Sequence, residues 1–244
     1  MGTAILIGAL QGALEWLPVS SEGLTTIAYN FLLTGTHPAE AIYFALWLHL
    51  GTACSAIIAF RKDIVRLVKE SIADPRHPSR LASFLVAASL SSAVSGIPLL
   101  LALDHVTKNF GITAMGIVGI AMIVTGIIQC QRKVRGDRDI SMYGLRDAVI
   151  VGLAQGLTII PGLSRSGLTI SILLVQQFNH RLALQLSFLL SIPASIGVAI
   201  FVSFKSDIIG SPDAFVAGIT AFCVGLATIR FLLAVVDRVK LCIL

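Results

Sequence analysis

Apolar residues run along this chain in long blocks. A helix rising about 1.5 Å per residue needs about 20 such residues to cross the hydrocarbon core of a bilayer. Five blocks meet that length and predict spanning helices, roughly 39–60, 81–103, 111–130, 182–204 and 214–236. Two other apolar regions, 3–35 and 144–179, are each interrupted near the middle. The first interruption reads Pro18-Val19-Ser20-Ser21-Glu22-Gly23 and the second Pro161-Gly162-Leu163-Ser164-Arg165-Ser166-Gly167. Each leaves two helices of roughly 10–17 residues, too short to span alone. Non-helical backbone is tolerated at membrane depth only where protein or a cavity surrounds it. Both regions therefore predict re-entrant helical hairpins with the polar break at the tip.

Composition supports this pattern. Of 244 residues, 56% are apolar and 13% charged, with a mean hydropathy of +0.90. A soluble domain carries about 25% charged residues. The numbers exclude a soluble globule, a disordered chain, a coiled coil and collagen. They imply an all-α integral membrane protein with one transmembrane domain over 1–244. The net charge of +5 would suggest nucleic acid in a soluble chain. Here the charges sit in short loops and read as topology signals, so no nucleic-acid partner is expected.

Arg61, Lys62, Arg66, Lys69, Arg76 and Arg80 lie in one loop, and Arg132, Lys133, Arg135, Arg138 and Arg146 in another. With Arg181, Arg238 and Lys240 they fall on one side of the alternating spans, and only Lys108 and Lys205 fall on the other. The positive-inside rule makes the basic side cytoplasmic and the location the cytoplasmic membrane. The first hairpin then enters from outside and the second from the cytoplasm. Asp63 to Ala73 forms an amphipathic stretch suited to the membrane surface. Cys54, Cys130, Cys223 and Cys242 share no metal-ligand or pairing pattern and read as small apolar helix residues. The start, Met1-Gly2-Thr3, lacks a basic region before its apolar run, so a cleaved signal peptide is not expected.

The two interrupted regions repeat each other. Shifted by 144 residues, Ala4, Gly8, Gln11, Gly12, Ser20, Gly23, Leu24 and Thr25 fall on Ala148, Gly152, Gln155, Gly156, Ser164, Gly167, Leu168 and Thr169, eight identities in 22 positions. Both copies carry a small-xxx-small pair, Gly8/Gly12 and Gly152/Gly156, which permits close helix approach. Similar sequence in opposite orientation predicts inverted-topology repeats, about 1–138 and 139–244, whose interrupted helices meet near the midplane. The second unit, as read, ends one span short of the first.

The breaks hold the candidate chemistry. Arg165, far from any loop, needs a partner or a function at membrane depth. With Ser164, Ser166, Gly162 and Gly167 at the start of a new helix it suggests an anion site, for phosphate or diphosphate. Glu15 lies four residues after Gln11 on the same helix face. It suggests a general base, a metal ligand or a partner for Arg165. Ser20 and Ser21 suit helix caps, and equally phosphate contacts or a nucleophile. Glu22 suits the first turn of a helix. His37, His77 and His105 fall in predicted loops, His180 at an interface, and His49 inside the first span, where it suits a helix–helix hydrogen bond.

The stretch Gln11 to Gly23, QGALEWLPVSSEG, resembles the first signature of the undecaprenyl-diphosphatase (bacitracin-resistance) family, and PGLSRSGLTI, Pro161 to Ile170, resembles the second. FALWLHLGTACSAIIAFRKDI from Phe44, LSFLLSIPASIG from Leu186 and IRFLL from Ile229 extend the likeness over the whole chain. The resemblance implies six spans, two re-entrant hairpins and inverted repeats, with the sixth span absent here. It implies a membrane phosphatase that converts a polyprenyl diphosphate lipid to the monophosphate and so recycles the carrier of cell-wall synthesis. It assigns catalysis to Glu15, Ser21 and Arg165. Substrate contacts are assigned to Gln11, Ser20, Gly162, Ser164, Ser166, Gly167 and Thr169. A divalent cation, Mg²⁺ or Ca²⁺, goes to Glu15. Membrane lipids and a second copy in a homodimer are the other expected partners. Gln11, Glu22 and Leu24 depart from the pattern, with Gln11 standing where many members have a Glu and Leu24 where they have a His. An alternative function left open by the residues is a polyprenyl-phosphate transporter or flippase that does not hydrolyse.

Overall fold

The computed structural model describes residues 1–33, 38–109, 111–130, 136–206 and 210–238. Among these the chain forms ten α-helices: α1 (Gly2–Leu14), α2 (Ser21–Leu32), α3 (Pro38–Ala59), α4 (Arg61–Ala73), α5 (Arg80–Asn109), α6 (Gly111–Cys130), α7 (Leu145–Leu157), α8 (Arg165–Val175), α9 (His180–Lys205) and α10 (Pro212–Arg238). Four are long and apolar enough to cross a membrane over Ala39–Ala59, Arg80–Leu103, His180–Lys205 and Pro212–Val235. The fifth expected span is the helix α6, whose apolar stretch Gly116–Ile128 is shorter. His105 lies inside α5 rather than in a loop. The charges of Arg132, Lys133, Arg135 and Lys240, the side chains of Lys108, Cys130 and Arg238, and His37 and Cys242 lie outside the described residues.

Apolar side chains cover the exterior as well as filling the core. Leu90, Val94 and Ile97 of α5, Ile120 and Ile123 of α6, and Phe215 and Phe231 of α10 are exposed. Gln11, Thr25, Thr52, Ser55, Gln155, Thr169, Ser187, Ser191 and Ser195 are buried. An apolar exterior around hydrogen-bonded polar groups is the arrangement that a lipid solvent rewards. Cys54 and Cys223 are free thiols on that exposed exterior. With the four long apolar helices, this makes the chain a multi-pass membrane protein.

Both interrupted regions fold as short helix, break, short helix. Proline has no N–H to continue the helical ladder, and Pro18 and Pro161 lie in the two breaks. Each following helix opens on an extended serine, Ser20 or Ser164. Its hydroxyl accepts from the backbone N–H of Gly23 at 3.1 Å or Gly167 at 3.0 Å. The small-residue pairs allow backbone contact with different partners. α1 packs on α10 and α7 on α5. A Cβ on Gly8 would stand 2.3 Å from the Ala217 carbonyl oxygen, and one on Gly152 2.2 Å from that of Ala88. α1 and α7 are thus each held by a long helix distant in sequence.

Two contacts set the ends of these regions apart. The α-amino group of Met1 pairs with Asp213 at 2.9 Å, and Met1, Leu33, Glu40 and Lys205 share one cleft. At the other region, Arg138 donates to the Gln176 carbonyl at 2.7 Å and to Asp147 at 2.8 Å. Arg138, read as a loop charge, is therefore an internal clamp between the start of α7 and the end of α8. Trp16 anchors the first break to the core. Its indole donates to the Gly225 carbonyl at 2.9 Å, and its ring meets Phe188 edge-on at 5.1 Å.

Candidate active site

The two breaks meet. Glu15 is the C-cap of α1 and Arg165 the first residue of α8. The Arg165 guanidinium donates through Nη2 to Glu15 Oε1, and through Nη1 to Ser195 Oγ at 2.8 Å and the Ser191 carbonyl at 3.3 Å. Glu15 Oε2 accepts from Gln11 Nε2 at 2.7 Å and from Ser21 Oγ at 2.7 Å. His49 places Nε2 3.5 Å from the same oxygen, and its Nδ1 donates to the Ala45 carbonyl at 3.0 Å. Ser166 Oγ donates to the Leu17 carbonyl at 2.7 Å, a second tie between the breaks. Glu15 is buried, Arg165 is largely so, and both make further hydrogen bonds, the condition under which a pair at low dielectric is tolerated.

α6 holds the second break from outside. Thr125 Oγ1 donates to the Gly162 carbonyl at 2.9 Å and accepts from the Ser164 N–H at 3.0 Å. Gly162 has φ +105°, a left-handed conformation open to glycine. A Cβ there would also stand 2.3 Å from the Val118 carbonyl oxygen.

A cavity of about 610 Å³ lies where the breaks meet. Glu15, Ser20, Ser21, Glu22, His49, Ser164, Arg165, Ser166 and Ser195 make its polar end, and Leu100, Ile97, Leu101, Val198, Ile200 and Phe201 its apolar end. Ile97, Leu101 and Ile200 also reach the outer surface at 57%, 54% and 54% exposure. The apolar end therefore opens between α5 and α9.

Glu15, Ser20, Ser21, Ser164, Arg165 and Ser166 are brought to this cavity as read from the sequence. Gln11, Gly162, Gly167 and Thr169, expected to touch substrate, are not among its lining residues. They shape it from behind. Gln11 fixes Glu15, Gly162 seats the break on α6, and the Gly167 N–H serves the Ser164 cap. Thr169 donates to the Arg165 carbonyl at 2.7 Å and hydrogen-bonds Ser187 at 2.6 Å. Of the roles open to Ser21, the cap is not taken; its hydroxyl donates to Glu15. His49 bonds its own helix through Nδ1 and also reaches from α3 to Glu15 at the end of α1, an inter-helix contact as its position suggests. Ser191 and Ser195 were missed. Polar residues four apart around Pro193 in an otherwise apolar span were the signal for them.

The whole-chain comparison follows the same residues. The family model for bacitracin resistance protein BacA matches residues 4–244. The chain belongs to that family. The matched stretch includes both breaks and every residue of the Glu15–Arg165 constellation. An undecaprenyl-diphosphatase of Methanococcoides burtonii is 38% identical over 252 residues, covering 98% of this chain and 92% of the relative. One from Haloarcula marismortui is 40% identical over 246 residues, covering 97% and 90%. One from Korarchaeum cryptofilum is 35% identical over 252 residues, covering 98% and 91%. The chain is thus a family member over nearly its full length.

Among the described residues, no group of three or more His, Cys, Asp or Glu could hold a metal ion without further ligands. Glu15 already receives Gln11, Ser21 and Arg165. Glu22 is 6% exposed, and its Oε1 has no hydrogen-bond partner. Mg²⁺ is commonly held by one or two carboxylates completed by substrate phosphates, and an unpartnered buried carboxylate oxygen at the cavity fits that mode.

Proposed function

We propose that this chain hydrolyses undecaprenyl diphosphate, or a similar polyprenyl diphosphate, to the monophosphate and so recycles a lipid carrier of the cytoplasmic membrane. One observation carries the reading. Glu15, hydrogen-bonded to Ser21 and paired with Arg165, stands at the polar end of a cavity whose apolar end opens to the exterior. A diphosphate on an isoprenoid chain has the same two-part character. The family membership and the relatives' names agree with it.

The steps follow from the geometry. The isoprenoid enters between α5 and α9, where Ile97, Leu101 and Ile200 offer apolar contact. The diphosphate lies beside Arg165 and the N-termini of α2 and α8, whose N–H groups and partial positive charge favour an anion. Ser21 Oγ attacks the terminal phosphorus as Glu15 Oε2, 2.7 Å away, accepts its proton. The bond to the bridging oxygen breaks and the lipid monophosphate leaves. Water then releases phosphate from the serine by the reverse proton path. Arg165 stabilises charge on the phosphoryl oxygens, and Ser191 and Ser195 hold its guanidinium in place. A divalent cation, Mg²⁺ or Ca²⁺, belongs to the proposal and supplies neutralisation of phosphate charge when bound.

The inverted repeat is part of the same reading. The ends of the first interrupted region lie with Glu40, Lys205 and Asp213, those of the second with Arg138 and Asp147, and the breaks meet between them. Packing of α1 on α10 and of α7 on α5 supports that reading. The test is purified protein with undecaprenyl or farnesyl diphosphate. Phosphate release that is lost in Arg165→Ala supports the proposal. Leaflet-to-leaflet movement of the lipid phosphate in proteoliposomes without phosphate release overturns it.

A further inference from the structure

Glu22 is the carboxylate of this site that the steps above do not use. It stands in the first turn of α2, one residue after Ser21. An acidic side chain there ordinarily accepts from the free N–H groups of the helix start. Here the Gly23 N–H is taken by Ser20 Oγ at 3.1 Å, and Glu22 Oε1 is buried without a partner. The other buried side-chain atoms left unpaired among the described residues belong to Gln11, Thr26, Gln155, Gln176 and His180, none of them carboxylates. A buried carboxylate without a partner is costly to hold in its ionised form unless a countercharge is supplied.

The charges in the cavity point the same way. Arg165 is the one Lys or Arg side chain among the described residues that line it, and its charge is matched by Glu15. Once ionised, Glu22 makes the polar end negative, and the diphosphate adds more negative charge. An anion of that kind enters a low-dielectric cavity only with countercharge. A cation held by Glu22 would offset both charges at once. Hard divalent cations favour this set of carboxylate and phosphate oxygens.

Resting on the proposed function, we infer that Glu22 is a ligand for a divalent cation that enters with the diphosphate. Gln11, a neutral amide at the other end of the same break, serves Glu15 instead. The site thus selects a metal–diphosphate complex over the bare diphosphate.

The experiment uses Mn²⁺ as probe and a non-hydrolysable methylene-bisphosphonate analogue of farnesyl diphosphate, with the full chain in detergent. Bound Mn²⁺ is read from loss of the free-ion electron paramagnetic resonance signal. Wild type should bind Mn²⁺ with the analogue and weakly without it. Glu22→Gln should weaken Mn²⁺ binding at least about tenfold, and Glu22→Asp should recover part of it. Unchanged Mn²⁺ affinity in Glu22→Gln overturns the inference. A second reading uses wild type alone and so does not depend on the variants folding. Fe²⁺ in place of Mn²⁺, with ascorbate and peroxide, should cleave the backbone near residues 21–23, and cleavage confined elsewhere overturns the inference. If wild type neither binds the analogue nor releases phosphate from farnesyl diphosphate, the proposed function itself fails. Phosphate release with normal Mn²⁺ binding in Glu22→Gln removes only the role of Glu22.

Discussion

The two breaks share a backbone and differ in charge. In each, a serine caps the second helix by accepting from the N–H of a glycine three residues on, and a threonine beyond it bonds back to the helix carbonyls. At the aligned positions the side chains diverge. Ser21 matches Arg165, Glu15 matches Ile159, and Pro18 matches Gly162. The first break thus carries the carboxylates and the hydroxyl beside them, and the second carries the guanidinium. Two similar breaks meet, and differences at a few positions make their charges complementary.

The largest expected effect comes from removing the charge that only the second break has. Arg165→Ala should lower phosphate release at least about a hundredfold, the scale of losing one preorganised charge-stabilising group. It should also cost about 3–5 kcal/mol of stability by leaving Glu15 buried and unpaired. Replacing both Glu15 and Arg165 by Gln should return most of that stability, read by thermal unfolding in detergent, and none of the activity. If the double variant is as unstable as Arg165→Ala, the pair is not the contact that joins the breaks. Ser21→Ala should reduce phosphate release to background while changing unfolding little, since only one hydroxyl is lost. Activity near that of wild type would move the nucleophile to water.

Next is backbone. Gly162→Ala should destabilise by about 1–3 kcal/mol, because an L side chain is strained at its φ of +105° and its Cβ meets the Val118 carbonyl. Pro18→Ala, at the aligned position of the first break, should cost less. Equal losses in the two variants would mean that the breaks are held alike. The smallest effects test what is shared. Ser20→Ala and Ser164→Ala should each cost about 1 kcal/mol, the ordinary worth of a helix N-cap. A clear inequality between them would show that one hydroxyl has a role beyond capping.

Much of this was readable along the chain. The four longest spans, the amphipathic Arg61–Ala73 helix, both breaks and the Gln11–Glu15 contact all rest on short-range patterns of apolar spacing, proline and glycine. The amide and carboxylate of Gln11 and Glu15 are one helical turn apart, so sequence places them together. His49, Ser191 and Ser195 were harder. Each is a polar residue in a span where apolar burial was the dominant pattern, and a polar group inside a helix bundle does not announce which neighbour it faces. Arg138 was read by its sign as a topology charge, although its hydrogen bonds to Gln176 and Asp147 make it a structural clamp. Gly162, Gly167 and Thr169 were placed at the site by motif, but the motif does not separate residues that touch a ligand from those that shape the loop behind it.

Sequence alone determined that this chain belongs in lipid, that two of its apolar regions break at polar tips, and that those tips repeat. These are consequences of local composition, since a bilayer tests each segment for length and polarity. Only the tertiary structure decided that Glu15 of one tip and Arg165 of the other form a pair 150 residues apart in the chain. Only it showed that the pair closes one end of a half-apolar cavity and that Glu22 is left there without a partner. The physical reason is that charge pairing and cavity shape depend on which helices pack together. That choice is made by contacts between surfaces, such as Gly8 against Ala217 and Gly152 against Ala88, which no single segment contains.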